Sequence, residues 1–184
     1  MKIAFAGAQS SGKTTLLNMM REDPMFKNYE FCDNITRNIQ AQGYSINEDS
    51  NSRTQFKIAE AHRDILDTKG DNFIADRSML DCYAYSQYLY ENEKLPVEDI
   101  HELAKTLQEL LPRYDCIFYL TPEFGLIEDG VRSSDKSFQE DIAEIFECIV
   151  PSAATYTDVY LLEGSSVDRF KQLKNILRED FNES

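Results

Sequence analysis

Tryptophan is missing from this chain of 184 residues, histidine occurs twice, and glycine and proline fill only 7 and 5 positions. So little turn chemistry excludes low-complexity and collagen-like classes, and no internal repeat or linker interrupts the chain. The four cysteines, Cys32, Cys82, Cys116 and Cys148, are far apart and never form C-x-x-C. With His62 and His101 as the only histidines, they offer no zinc-ligand pattern. Each cysteine lies in or beside an apolar run, which reads as a buried thiol in a reducing compartment. No stretch approaches the ~20 apolar residues of a membrane span. Lys2 and the apolar residues after it are too short for a signal peptide and fit a first strand better. The chain is therefore expected to be soluble and cytoplasmic.

Positive charge is also scarce, with 19 Lys and Arg against 33 Asp and Glu and a net charge of −14. That balance argues against a surface for extended nucleic acid or for an anionic membrane, since both need a basic face. A small basic patch around a phosphate-bearing substrate stays compatible with it. Length and ordinary composition predict one domain over 1–184, with a substantial core.

What the chain does have is concentrated at its start. Ile3-Ala4-Phe5-Ala6 is followed by Gly7-Ala8-Gln9-Ser10-Ser11-Gly12-Lys13-Thr14 and then by an apolar-periodic segment with Leu16, Leu17, Met19 and Met20. This is strand, glycine-bounded loop and helix, with G-x-x-x-x-G-K-T at the junction. Gly7 and Gly12 allow backbone conformations in which consecutive N–H groups face one concavity. The helix beginning near Lys13 adds the positive end of its dipole. Lys13 can reach the β- and γ-phosphates, and the Thr14 hydroxyl is placed to ligate Mg²⁺. Gly7, Ser10, Ser11, Gly12, Lys13, Thr14 and Thr15 are the candidate nucleotide-binding residues.

Further strands are expected at Tyr29–Cys32, Phe73–Asp76, Asp115–Leu120 and Asp158–Leu162. Helices are expected at Asn34–Gln42, Ser52–Thr68, Met79–Asn92, Val97–Leu111, Ser137–Val150 (ending before Pro151) and Val167–Phe181. Strands alternating with helices predict an α/β fold, a five-stranded parallel sheet with helices on both faces in three layers. Thr121 to Lys136 is a polar loop.

The second chemical stretch is Asp76-Arg77-Ser78. An acidic residue at the carboxyl end of a buried strand opens onto the crevice where such sheets bind ligands. Asp76 can hold Mg²⁺ or accept a proton from an attacking hydroxyl, and Arg77 offers a planar fork for phosphate. On the helix that follows, Asp81 and Tyr85 share a face that can line an acceptor pocket and stack a base. Tyr83, Tyr85, Tyr88 and Tyr90 otherwise suit a helix core or a homodimer interface.

With GAQSSGKTT at 7–15, DRS at 76–78 and an arginine-bearing loop beyond the fourth strand, the chain resembles the P-loop nucleoside and nucleotide kinases. It is most similar to their nicotinamide-riboside-kinase-like branch, also known under the general description of an AAA-type ATPase domain and common in phage genomes. Asp33-Asn34-Ile35-Thr36-Arg37, Gly43 to Asn47 and Thr54-Gln55 resemble that branch's substrate segment. The resemblance implies the P-loop kinase fold and transfer of the γ-phosphoryl of ATP, with GTP as the alternative, to a small nucleoside or nucleotide with Mg²⁺ present. It implies that Asp33 meets the acceptor hydroxyl or sugar and that Arg37 binds its ribose or phosphate. Many relatives carry Glu where this chain has Asp33, and Asp33 as an N-cap of the following helix is a compatible reading. A lid over about 121–137 is implied, whose Arg132 folds onto the transferring phosphoryl. The proposed catalytic set is thus Lys13, Asp33, Asp76, Arg77 and Arg132, with Thr14 and Asp76 at the metal. Two other readings stay open: a kinase of hydroxymethylated pyrimidines in DNA, disfavoured by the net charge, and a nucleotide-dependent switch. Thr68-Lys69-Gly70-Asp71 and the overlapping Asp67 to Gly70 mimic GTPase signatures, but their overlap before a strand marks them as chance.

Overall fold

The computed structural model describes residues 1–122 and 136–179. Five strands form one parallel sheet: β1 (Lys2–Ala6), β2 (Glu30–Cys32), β3 (Phe73–Ala75), β4 (Cys116–Leu120) and β5 (Asp158–Leu162). Their spatial order is β2-β3-β1-β4-β5, which puts β1 at the centre. Residues pair in register as Ala4 with Ala75 and Phe5 with Phe118. Seven α-helices connect them: α1 (Lys13–Glu22), α2 (Ile35–Ala41), α3 (Ser52–Thr68), α4 (Met79–Glu91), α5 (Val97–Leu110), α6 (Lys136–Ala153) and α7 (Ser166–Glu179). The expected three-layer α/β architecture is the one observed.

Side-chain alternation along the strands divides the core in two. Ile3 and Phe5, with Cys116, Phe118 and Leu120, face α1 and α7, where Leu16, Leu17, Met20, Leu173 and Leu177 are buried against them. Ala4 and Ala6, with Ile117 and Tyr119, face the larger layer carrying α2 to α6. The small alanines on that side of β1 let the helical layer approach the sheet closely. Each fully buried Leu or Met contributes about 1.5–3 kcal/mol, so the cluster holding Leu16, Leu17 and Met20 fixes α1 firmly on the sheet and, with it, the loop that precedes it.

Element limits follow the sequence pattern within a residue or two, with one exception. The helix expected to stop before Pro151 continues to Ala153. Pro151 lies in the last turn, where it costs a single bond to the carbonyl four residues back. The ladder resumes directly, with Ala154 N–H donating to Val150 O at 3.0 Å. No helix among the described residues is long and apolar enough to cross a membrane. The expected lid, including Arg132, lies largely outside the described residues.

Candidate active site

The loop between β1 and α1 has a shape that glycine makes possible. Gly7 has φ +144°, and a Cβ there would sit 2.3 Å from the Leu120 carbonyl oxygen at the end of β4. Ser10 and Gly12 both lie in the left-handed region, at φ 58° and 95°. Gly12 is the N-cap of α1 and supplies no side-chain cap, so no side chain of its own competes for the helix's first amides. The Lys13 ammonium donates to Gly7 O at 2.6 Å, Ala8 O at 2.8 Å and Ser11 Oγ at 3.1 Å. It thereby ties the two halves of the loop together around a buried positive charge.

This loop forms one wall of a cavity of about 440 Å³. Ser10, Ser11, Gly12, Lys13, Thr14 and Thr15 line it, and Asp33, Arg37, Asp76 and Arg77 face them across it. Gly7 lies beneath, against β4. The cavity opens at the carboxyl ends of β1, β2 and β3, where ligands of open α/β sheets bind.

Asp76 follows β3 directly, and its N–H donates to Cys32 O at 3.1 Å, extending the pairing with β2. Its Oδ2 accepts from Asn34 N–H at 3.3 Å, whereas Oδ1 is buried with no hydrogen-bond partner. Burial pushes the Asp76 carboxyl above its usual range, against the pull of Arg77. A carboxylate oxygen kept dry and unpaired beside a phosphate-binding loop fits a cation ligand. Among the described residues no group of three or more His, Cys, Asp and Glu could hold a metal ion. Thr14 and Asp76, which both line the cavity, are the residues that would hold Mg²⁺, an ion that takes few protein ligands and completes its shell with phosphate and water.

Asp33 is not the N-cap of α2. That position is Asn34, in the left-handed region at φ 65° and without a side-chain cap bond. The left-handed turn at Asn34 leaves Asp33 one residue too early, and its carboxylate instead accepts from Arg21 on α1.

Asp81 and Tyr85 reach the loop rather than opening into the main cavity. Asp81 closes a capping box with Ser78 at the start of α4, and its Oδ1 accepts from Gly7 N–H at 3.3 Å. Tyr85 donates its hydroxyl to Gln9 Oε1 at 2.8 Å, and the Arg77 guanidinium sits 5.4 Å over its ring. Both also line a side cavity of about 30 Å³ that shares Thr36, Asn47 and Arg77 with the main one. The fully buried His62 lines the same small space, and its Nδ1 has no partner. Of the tyrosines, Tyr85 and Tyr88 pack edge-on to Phe138 of the same chain.

Two residues at the site escaped the sequence reading. Gln139 of α6 donates to Gln9 O at 2.7 Å. Arg169 of α7, 1% exposed, donates to Ser11 O at 2.6 Å and to Thr121 O at 3.2 Å. A signal for Arg169 was present: positions 169, 173 and 177 form one helical row, and an arginine there replaces the apolar residue that the row requires.

A family described as an AAA domain matches residues 2–160. No curated protein matches the sequence significantly. Among solved structures, deoxyadenosine kinase from M. mycoides with products dCMP and a flexible dCDP bound is similar at a TM-score of 0.75 and 16% identity. That match covers 98% of this chain and 100% of the other. The same kinase with bound dATP matches at a TM-score of 0.68 and 14% identity, over 97% and 100% of the two chains. NadR protein in complex with NR matches at a TM-score of 0.69 and 17% identity, over 99% of this chain and 52% of NadR.

Proposed function

This chain belongs to the AAA domain family, and from that premise we propose that it is a phosphotransferase moving the γ-phosphoryl of ATP to a hydroxyl of a small nucleoside or nucleotide. The observation that carries the reading is a convergence on one cavity. The phosphate-binding loop occupies one wall, and Asp33 after β2, Arg37 in α2, and Asp76 and Arg77 after β3 line the other. An NTP hydrolase or switch needs the first wall; a second wall that pairs carboxylates with guanidinium forks suits a second substrate bearing both hydroxyls and negative charge. Structural likeness to proteins whose complexes hold dCMP, dATP or NR points to the same acceptor class.

In this mechanism the loop amides and Lys13 hold the β- and γ-phosphates. Thr14 and Asp76 would hold Mg²⁺, which would supply positive charge to offset that of the phosphates. Asp33 lines the cavity with its side chain about one-third exposed, whereas Asp76 Oδ1 is buried, and this supports Asp33 as the residue that takes the acceptor proton. The acceptor oxygen bonds to the γ-phosphorus as the bond to the β-phosphate oxygen breaks, ADP departs and the proton passes to Asp33. Arg37 and Arg77 hold the acceptor and the transferring group, and Arg132 would add charge from the lid.

The test is ADP release from ATP and Mg²⁺ by the wild-type protein and Lys13→Ala, over a panel of nucleosides, deoxynucleosides, their monophosphates and nicotinamide riboside. An acceptor that stimulates release at least tenfold, and only with Lys13 present, is the expected result. ATP binding with no acceptor stimulating release, or stimulation that survives Lys13→Ala, would remove the reading.

A further inference from the structure

Arg169 is the one arginine with a fully buried side chain among the described residues. It enters from α7, on the sheet face opposite the helices that carry Asp81, Tyr85 and Gln139. Burying a guanidinium is costly unless its donors are used. A leucine in this row would pack against β4 and α1 as Leu173 and Leu177 do. Two donors are committed to main-chain carbonyls that belong to different elements: Ser11 O in the phosphate-binding loop and Thr121 O just beyond β4. The side chain thus joins the loop to the strand beside it.

The bond to Ser11 O has a directional consequence. The peptide joining Ser11 to Gly12 is planar and trans, so its C=O and N–H point in opposite directions. An arginine that holds the carbonyl on the α7 side turns the Gly12 N–H to the other side. Gly12, at φ 95° and without a Cβ, offers little steric resistance to rotation of that plane. Its orientation therefore depends on outside partners. We propose that Arg169 is a positioning residue for the nucleotide's phosphates: it locks the Ser11–Gly12 peptide so that the amides at the start of α1 face the cavity. Its charge, hydrogen-bonded to the carbonyl of the peptide that carries the Gly12 N–H, also adds to the positive potential at the helix terminus. The proposal rests on the nucleotide-binding half of the function proposed above and is independent of the acceptor.

Arg169→Met and Arg169→Lys test it. Methionine keeps most of the volume and suits the apolar row; lysine keeps the charge and can reach one of the two carbonyls. Binding of ATP with Mg²⁺ and of inorganic tripolyphosphate is measured by calorimetry, alongside thermal melting without ligand. The expected result is at least tenfold weaker binding of both ligands to Arg169→Met, with partial recovery in Arg169→Lys. With an acceptor in hand, KM for ATP should rise while KM for the acceptor stays within twofold. A purely structural arginine would lower the melting temperature and leave the folded protein's affinity for tripolyphosphate intact, and that outcome overturns the proposal. If Arg169→Met does not fold, Arg169→Leu, which matches Leu173 and Leu177 of the same row, takes its place, and tripolyphosphate affinity within twofold of wild type sinks the idea. Failure of the wild type to bind ATP would remove the phosphotransferase reading itself, whereas ATP binding without any acceptor would leave the role of Arg169 standing.

Discussion

The Arg21 guanidinium lies 2.6 Å from Asp33 Oδ2 and 4.6 Å from the centroid of the Phe31 ring. Helix α1, which begins with Lys13, therefore ends by holding the carboxylate on the cavity's opposite wall. Both side chains are about one-third exposed, so the pair itself contributes little stability, about 0.2–1 kcal/mol. Arg21→Met should accordingly leave unfolding by denaturant nearly unchanged while lowering kcat several-fold, because Asp33 loses its fixed rotamer. Asp33→Asn should lower kcat about 100-fold or more with ATP affinity retained. Steady-state kinetics and ATP titration check both, and an Asp33→Asn enzyme of near-wild-type kcat would move the proton acceptor to Asp76.

Asp76 couples stability to activity in opposite directions. Burial raises its pKa in the folded protein above that in the unfolded chain. The folded state then binds a proton more readily, and stability declines as pH rises from the unfolded pKa through the folded one. At neutral pH the full penalty for the buried charge is present. Asp76→Asn removes it, so the variant should melt at or above the wild-type temperature at pH 7 and lose that advantage as the pH falls into the acid range. Its phosphoryl transfer should drop about 100-fold or more. Melting curves from pH 3 to 8 together with initial rates test the pairing; a variant less stable at pH 7 than at pH 4, relative to wild type, would contradict it.

His62 gives a slope of the opposite sign. Burial, reinforced by the charge of Arg77, pushes its imidazole down to about 3. Folded His62 stays neutral where the unfolded chain takes up a proton below about pH 6.5. Stability should therefore fall as the pH drops from about 6.5 towards 3. Since Nδ1 has no partner to lose, His62→Leu should fold and show a flatter acid limb in urea denaturation. An unchanged slope would assign the acid sensitivity to other groups.

The sheet was readable because each strand is short, apolar and bounded by turn chemistry. Ser52–Thr68 was readable because its 3.6-residue rhythm is unbroken and Asn51 caps it, accepting from Thr54 N–H. The phosphate-binding loop was readable because its spacing is local. What escaped were effects decided at a distance. Nothing near Asp33 says that Arg21 will claim it, and the left-handed Asn34 shifts the cap by one residue. Pro151 looked like a stop because its place in the final turn, where the cost is small, depends on how far α6 packs. Asp81 and Tyr85, expected to line an acceptor pocket, line the small side cavity and also bond to Gly7 N–H and Gln9 Oε1 of the loop between β1 and α1, contacts that nothing local to α4 announces.

The contact between Ser11 and Arg169 spans 158 positions of the chain. Translation therefore makes the loop proposed to hold the phosphates long before it makes the arginine proposed to set it. A ribosome-bound chain can complete β1, the glycine loop and α1 while α7 is still unsynthesised, and even the β4 pairing precedes it. If the loop's peptide planes await Arg169, a growing or prematurely terminated chain holds a nucleotide site in outline only. Competence would arrive only once α7 has been made and docks beside α1.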